Sequence, residues 1–309
     1  MSPRFAPRRP LGRTRFVATA LGAGDLADRS VPKERCIATL RRALDAGVNI
    51  VDTAPMYEDG YSEEIVGEAL RGRRECVLVV DKIDHLDRPV DAQLEASLER
   101  LGLPSLDLLV FHAVSDLAAW TRLAARGGAM AAVGEEIARG RARFRGISSH
   151  HPEVLDLALA SALCDVVMFP VGPLCDPRYV LEILPRARAL GVGTICFKTF
   201  GAGKLVGDTD GYGRPLSSRA GSAPPSGGEA SPVLPRLSVE ECVRYTLTCD
   251  PDVTLLGLSS PDEQDAAFAA AAAFRPMASA EMAETRRRAA RAAEDKGPVW
   301  WDPPRSARA

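Results

Sequence analysis

Four residues within the first 112 positions have the types needed for proton and charge chemistry: Asp52, Tyr57, Lys82 and His112. A free tyrosine has a pKa of about 10, too high for easy proton exchange at neutral pH. A neighbouring ammonium stabilises the phenolate, and a carboxylate holds that ammonium in place. A neutral imidazole then orients a substrate oxygen by hydrogen bonding. Together the four form a proton donor with its tuning groups. Such a set suits protonation of a carbonyl oxygen while hydride reaches the carbonyl carbon from a cofactor.

Asp52, Lys82 and His112 lie at or just beyond the ends of short apolar runs, and Tyr57 lies in the loop after Asp52. The runs are 16–21, 48–51, 76–80, 107–111, 144–148, 165–169, 192–197 and 253–258, rich in β-branched or aromatic residues and of strand length. Helical patterns alternate with them at 32–46, 62–71, 90–101, 129–140, 152–161, 178–190, 238–248 and 261–274. Eight repeats of strand then helix require parallel strands and predict an α/β fold, a (β/α)8 TIM barrel. A doubly wound sheet is the rival, but no GxGxxG opens a helix after the first strand. Barrel enzymes keep their chemistry at the C-terminal ends of the strands, and there Asp52, Lys82 and His112 fall.

The 309 residues read as a single barrel domain with three additions. Residues 1–24 carry five arginines and no acid, and lack the apolar segment of a secretory signal. They read as a disordered basic lead-in followed by the first strand. Residues 207–236, after the seventh strand, hold six Gly, five Pro and five Ser, a composition that predicts a flexible loop at the mouth. Residues 278–309 form a C-terminal helix and an extended tail, with Trp300 and Trp301 packed on the barrel or covering its mouth.

Lys and Arg number 39 against 41 Asp and Glu, so no basic excess points to nucleic acid. No apolar stretch approaches the ~20 residues of a membrane span. Seven scattered cysteines form no CxxC pair, which opposes zinc and iron–sulfur sites and fits a reducing, cytoplasmic setting. A rival chemistry places His85, His150 and His151 with Asp52 and His112 as metal ligands of a hydrolase. It lacks an HxH pair on the first strand. A third reading is a barrel that binds a cofactor for regulation without turnover, since fold does not fix function.

Longer motifs now bear on the choice. RPLGRT at 9–14, LGAG at 21–24, GVNIVDTAPMY at 47–57, SEEIVGEAL at 62–70, Lys82 and DLLVFH at 107–112 resemble, in order, the aldo-keto reductases. The likeness extends to about residue 275, and GISSHHPE, VVMFP, FKTFGAGKL and GLSS resemble the branch that often carries a ferredoxin-like domain. No cysteine follows Cys249, so that module is not expected here. The resemblance implies NADP(H) or NAD(H) as cofactor and a small-molecule carbonyl or alcohol as substrate. Tyr57 is the implied proton donor, in preference to Tyr61. It further implies Ser148 and Ser149 near the carboxamide, Phe197 stacked on the nicotinamide, Gly201, Ala202 and Gly203 at the pyrophosphate, and Ser259 and Ser260 at the adenosine phosphate. Asp81, Ser149, Phe169 and Ala267 depart from the commoner residues at their positions, Asp81 adding a second carboxylate beside Lys82. No Arg or Lys lies in 257–267 to pair a 2′-phosphate, which makes NAD(H) credible.

Overall fold

The computed structural model describes residues 4–24, 26–214, 216 and 234–301. Among these, eight parallel strands close a barrel: β3 (Leu21–Gly24), β4 (Ile50–Asp52), β5 (Leu78–Ile83), β6 (Leu108–Phe111), β7 (Phe144–Ser148), β8 (Val166–Pro170), β9 (Gly193–Phe197) and β10 (Val253–Leu256). Each pairs with its neighbour in chain order, and β10 pairs with β3. The surrounding helices are α1 (Lys33–Asp45), α2 (Tyr61–Leu70), α3 (Val90–Leu101), α4 (Leu117–Ala124), α5 (Ala129–Ala138), α6 (Pro152–Ala160), α7 (Leu184–Ala189), α8 (Val239–Cys249), α9 (Pro261–Ala272) and α10 (Ser279–Ala293). The fold is the (β/α)8 barrel that the alternating pattern predicts. Helix α4 is an addition: Asp116 caps it by accepting the amide of Ala119 at 2.7 Å.

The first strand differs from its expected span. FVATAL at 16–21 is divided between β2 (Val17–Ala18), which pairs antiparallel with β1 (Arg9–Pro10), and the start of β3. The amino-terminal segment from Arg4 is therefore ordered. Leu11 at the hairpin tip is fully buried and packs with Ile50, Leu78, Val80, Leu108, Val166 and Ile195, which makes the hairpin a plug in the barrel floor. Gly12 has φ +45, and a Cβ there would lie 2.2 Å from the backbone nitrogen of Gly193, so only glycine permits this approach. The arginines have folded partners: Arg9 pairs with Asp250, and Arg13 with Asp165 at 3.1 Å. The expected flexible loop at 207–236 lies largely outside the described residues, because 215 and 217–233 are not among them.

Strand alternation separates two cores. Leu78, Val80, Leu108, Val110, Val166 and Met168 fill the barrel interior. Val79, Ile83, Leu109, Phe111, Val167 and Phe169 face the helices. One place further along the inward rows of β5 and β6 the filling side chains end and the polar Lys82 and His112 begin the mouth. The expected helix over 178–190 opens with a wider π turn at Tyr179–Ile183 and continues as α7, with Pro185 near its start.

Because Leu11 seals the floor, Leu11→Ala leaves a cavity and costs about 2–5 kcal/mol of stability. Urea unfolding checks this, with a lower midpoint and an unchanged slope as the expected outcome.

Candidate active site

Asp52, Lys82, His112, Ser148 and Phe197 all occupy inward rows at the C-terminal ends of their strands, and the site is built from these rows. Asp52 ends β4 opposite Val80 of β5, and Lys82 lies two residues beyond Val80 on the same face. Its ammonium therefore reaches both Asp52 carboxylate oxygens at 2.8 Å and the Thr53 carbonyl at 2.6 Å. Both side chains are 2% exposed. Burial raises the Asp52 carboxyl above its ordinary value, against the opposing pull of Lys82.

Tyr57 sits in the loop after β4, with the Lys82 ammonium 4.4 Å from its ring centre. Its ring meets His112 edge to face at 5.7 Å. His112 directly follows β6, and its amide donates to the Ile83 carbonyl at 3.0 Å. Burial pushes the imidazole below its usual range; hydrogen bonding to Asp84 opposes this, while the Lys82 charge adds to it. Tyr61 is set apart at the start of α2, under the side chains of Arg29 and Lys33 at 4.7 and 5.7 Å.

Asp84 is the residue that sequence reading missed. Its Oδ1 meets His112 Nδ1 at 2.5 Å, and its Oδ2 accepts the amide of Met56 at 2.7 Å. The available signal was the period of two, which puts Asp84 on the same side as Lys82 just past the end of β5. The expectation for Asp81 needs correction by the same rule. Asp81 faces the helix layer, and its carboxylate accepts the Lys82 backbone amide at 2.8 Å rather than approaching the ammonium. Burial and the nearby Glu63 carboxylate hold Asp81 well above the ordinary carboxylate range.

The residues assigned to a cofactor have mixed roles. Ser148 lies in the inward row of β7. The Ser149 hydroxyl is engaged within the fold, donating to Val114 O at 2.8 Å and accepting the His151 amide at 3.1 Å. Phe169 points outward and stacks on Tyr179 at 5.7 Å. Phe197 ends β9, with His150 edge to face at 5.4 Å. Gly201, Ala202 and Gly203 take successive positive φ values of 55, 54 and 93, a turn that curls the backbone at the mouth. Among the described residues the buried atoms Thr199 Oγ1, His150 Nε2 and Trp301 Nε1 have no hydrogen-bond partner. A glycine-rich turn beside an aromatic ring and unpaired polar atoms fits a large polar ligand. Burial, with Lys198 nearby, pushes the His150 imidazole down to about 3, so it is neutral.

Ser260 caps α9, accepting the Glu263 amide at 3.3 Å, while the Ser259 amide donates to the Glu263 carboxylate at 2.9 Å. Arg42 of α1 reaches this helix, but Gln264 at 3.0 Å and Asp265 at 2.6 Å occupy its guanidinium. The tail reaches the mouth as well: Trp301 is fully buried, and half-exposed Trp300 lies 6.1 Å from His150. Among the described residues no group of three His, Cys, Asp or Glu side chains is placed to hold a metal ion, and His85 is exposed. No helix among them is long and apolar enough to cross a membrane.

Fold and site together define a TIM barrel with a lysine–aspartate pair, a tyrosine and a histidine gathered at its mouth. The chain belongs to the aldo/keto reductase family, whose model matches residues 19–286. It is 33% identical over 174 residues to methylglyoxal reductase YeaE of Escherichia coli, a match covering 55% of this chain and 56% of that relative. An aldo-keto reductase from Bacillus halodurans in its holo form superposes with a TM-score of 0.69 at 23% identity, over 97% of this chain and all of that one. A Klebsiella pneumoniae aldo/keto reductase solved with NADP and acetate superposes at 0.66 and 20% identity, over 97% and 98%. Both likenesses are of fold.

Asp81 gives a pH test. A carboxyl held above its unfolded value near 3.9 keeps its proton in the folded state, so its contribution to stability is full below that pH and is lost as pH rises through the folded value. Asp81→Asn should therefore lose less stability than the wild type between about pH 4 and pH 8, read as the urea midpoint at each pH.

Proposed function

We propose that this chain is an NAD(P)-dependent oxidoreductase that interconverts an aldehyde or ketone and its alcohol, with Tyr57 as the proton donor. The observation that carries this reading is the Lys82 ammonium, fixed by Asp52 and Thr53 and held 4.4 Å from the Tyr57 ring. That charge stabilises the phenolate relative to the phenol, so the hydroxyl proton is released to a substrate oxygen more readily. Asp52 neutralises the ammonium and fixes its position. Burial around the pair reduces screening, so the charge acts strongly on the ring.

A nicotinamide dinucleotide, when bound, supplies or accepts the hydride. Phe197 offers a face for its ring, Ser148 a hydroxyl, and the 201–203 turn a curled backbone for the pyrophosphate. At the adenosine end, Ser259 and Ser260 belong to a helix start that carries Asp262 and Glu263, and Arg42 is already paired with Asp265. This charge pattern disfavours a 2′-phosphate. NADPH is expected to bind no more than about tenfold better than NADH, because a charge-assisted contact to phosphate is missing. Quenching of tryptophan fluorescence by each cofactor measures the ratio, and a hundredfold preference for NADPH would refute the argument.

Tyr57→Phe removes one hydroxyl and leaves the ring. Turnover of a carbonyl substrate should fall about 10²–10⁴-fold with cofactor affinity nearly unchanged. Tyr61→Phe should leave turnover within a factor of about two, since that ring lies beneath Arg29. If Tyr57→Phe keeps more than a tenth of wild-type turnover, Tyr57 is not the acid. If cofactor binds and no carbonyl turns over in either protein, the regulatory barrel becomes the better reading.

A further inference from the structure

Of the 39 Lys and Arg residues in the chain, only Lys33, Lys82, Lys198, Lys204 and Lys296 are lysines. Lys33 begins α1, Lys82 lies on β5, Lys198 and Lys204 follow β9, and Lys296 opens the tail. Lys204 and Lys296 are both fully buried. The Lys204 ammonium donates to the Lys296 carbonyl, to the Asp210 carbonyl at 2.9 Å and to Asp210 Oδ1 at 3.3 Å. The Lys296 ammonium donates to the Lys204 carbonyl at 2.8 Å and the Pro235 carbonyl at 2.9 Å, with Asp208 Oδ1 3.6 Å away. Three acceptors converging on one point suit a compact ammonium and not the flat fork of an arginine. Two of these bonds run in opposite directions between the same two residues. Neither segment moves without leaving two buried charges short of acceptors.

The exchange joins two functional segments. Lys204 closes the 201–203 turn, its amide donating to the Gly201 carbonyl at 3.1 Å, and the Tyr212 amide donates to Ala202 at 2.7 Å. Lys296 leads into Trp300 and Trp301, and Trp301 packs against the same turn: a Cβ on Gly201 would lie 3.5 Å from its ring. This seat also resists the tail. Trp301 Nε1 and Thr199 Oγ1 are buried there without a partner among the described residues, and a buried polar group left unpaired opposes docking. The tail is thus held by a clasp against the cost of its own seat, which is the balance of an element that opens locally.

We propose that residues 296–301 are a strap across the barrel mouth, clasped to the glycine turn by Lys204 and Lys296, and that filling the turn and closing the strap are one linked event. The ligand part rests on the dinucleotide reading given above. A diphosphate held by the 201–203 turn fixes the backbone of Lys204 and, through it, Lys296 and both tryptophans. Linkage acts in both directions, so a closed strap also retains the dinucleotide.

Brief reductive methylation of the full chain, read lysine by lysine by peptide mass spectrometry, tests the strap. Partly exposed Lys33 reports reagent activity, and buried Lys82 reports global unfolding. Lys204 and Lys296 should label at one common rate, slower than Lys33 and faster than Lys82. Gly297→Ala keeps every lysine. Gly297 has φ +75, and a Cβ there would overlap Asp210 Oδ1, an acceptor of Lys204. Both rates should rise at least about tenfold in this variant while Lys82 is unchanged. Unequal rates, rates no faster than that of Lys82, or a response to Gly297→Ala that is absent or shared by Lys82, overturn the strap.

NADH supplies the ligand arm. Its Kd is measured by tryptophan fluorescence quenching, and labelling is repeated at about ten times that concentration. A ligand that binds only the closed form lowers the open fraction about tenfold, so Lys204 and Lys296 should slow by that factor while Lys33 does not. NADH that binds and leaves both rates unchanged overturns the linkage. If neither NADH nor NADPH quenches, the dinucleotide reading fails and the linkage with it, whereas the strap is still decided by the ligand-free rates.

Discussion

A buried ammonium constrains most of what surrounds it. Lys82 is 2% exposed, and burying a charge without partners costs several kcal/mol. It has three protons to donate, and the fold supplies three acceptors, the two Asp52 oxygens and the Thr53 carbonyl. All are on the neighbouring strand or directly after it. The register that sets Asp52 opposite Val80 is thus both a feature of the barrel and the means by which the Lys82 ammonium finds its acceptors. With the ammonium pinned, its field falls on whatever stands above it, and the loop after β4 puts Tyr57 there.

The pleat of β5 assigns its acidic and basic residues to different tasks. Lys82 and, beyond it, Asp84 serve the mouth, while Asp81 between them is directed into the layer of α2 and α3 with Glu63. Sequence neighbours here are structural opposites. The same alternation takes Phe169 away from the mouth and gives it to Tyr179. Outward side chains therefore pack against the helices, while the inward row fills the barrel as far as Val80 and opens onto the mouth from Lys82.

Around this rigid centre, the remaining walls come from distant segments. The tail is anchored where Lys204 and Lys296, both fully buried, each donate to the other's backbone carbonyl. That exchange seats Trp301 in the core and puts Trp300 beside His150 and Tyr212. Lys198 lies among Phe197, Tyr212 and Trp300, its ammonium 4.9 Å from the Trp300 ring centre. Cation and aromatic faces of this kind attract when partly desolvated. The mouth therefore has an ionisable side built from strand ends and an aromatic side built from a loop and the tail.

The eight strand–helix repeats, Asp52, Tyr57, Lys82 and His112 were legible from sequence because period, strand length and residue type are local properties. Their family motif, being nearly contiguous at 47–70, was legible for the same reason. Three features were decided by contacts between remote segments. The amino-terminal arginines read as an unstructured lead-in, yet Asp250 and Asp165 pair with them and Leu11 plugs the floor. The start of α9 lacks a basic residue in sequence, yet Arg42 arrives there from α1 and is spent on Asp265. Asp84 was passed over in sequence, because its partner His112 stands 28 positions away and only the barrel brings the two together. Composition and periodicity determine which face a side chain takes, but a hydrogen-bond partner on another strand is set by the closure of the barrel, and closure is a property of the whole chain.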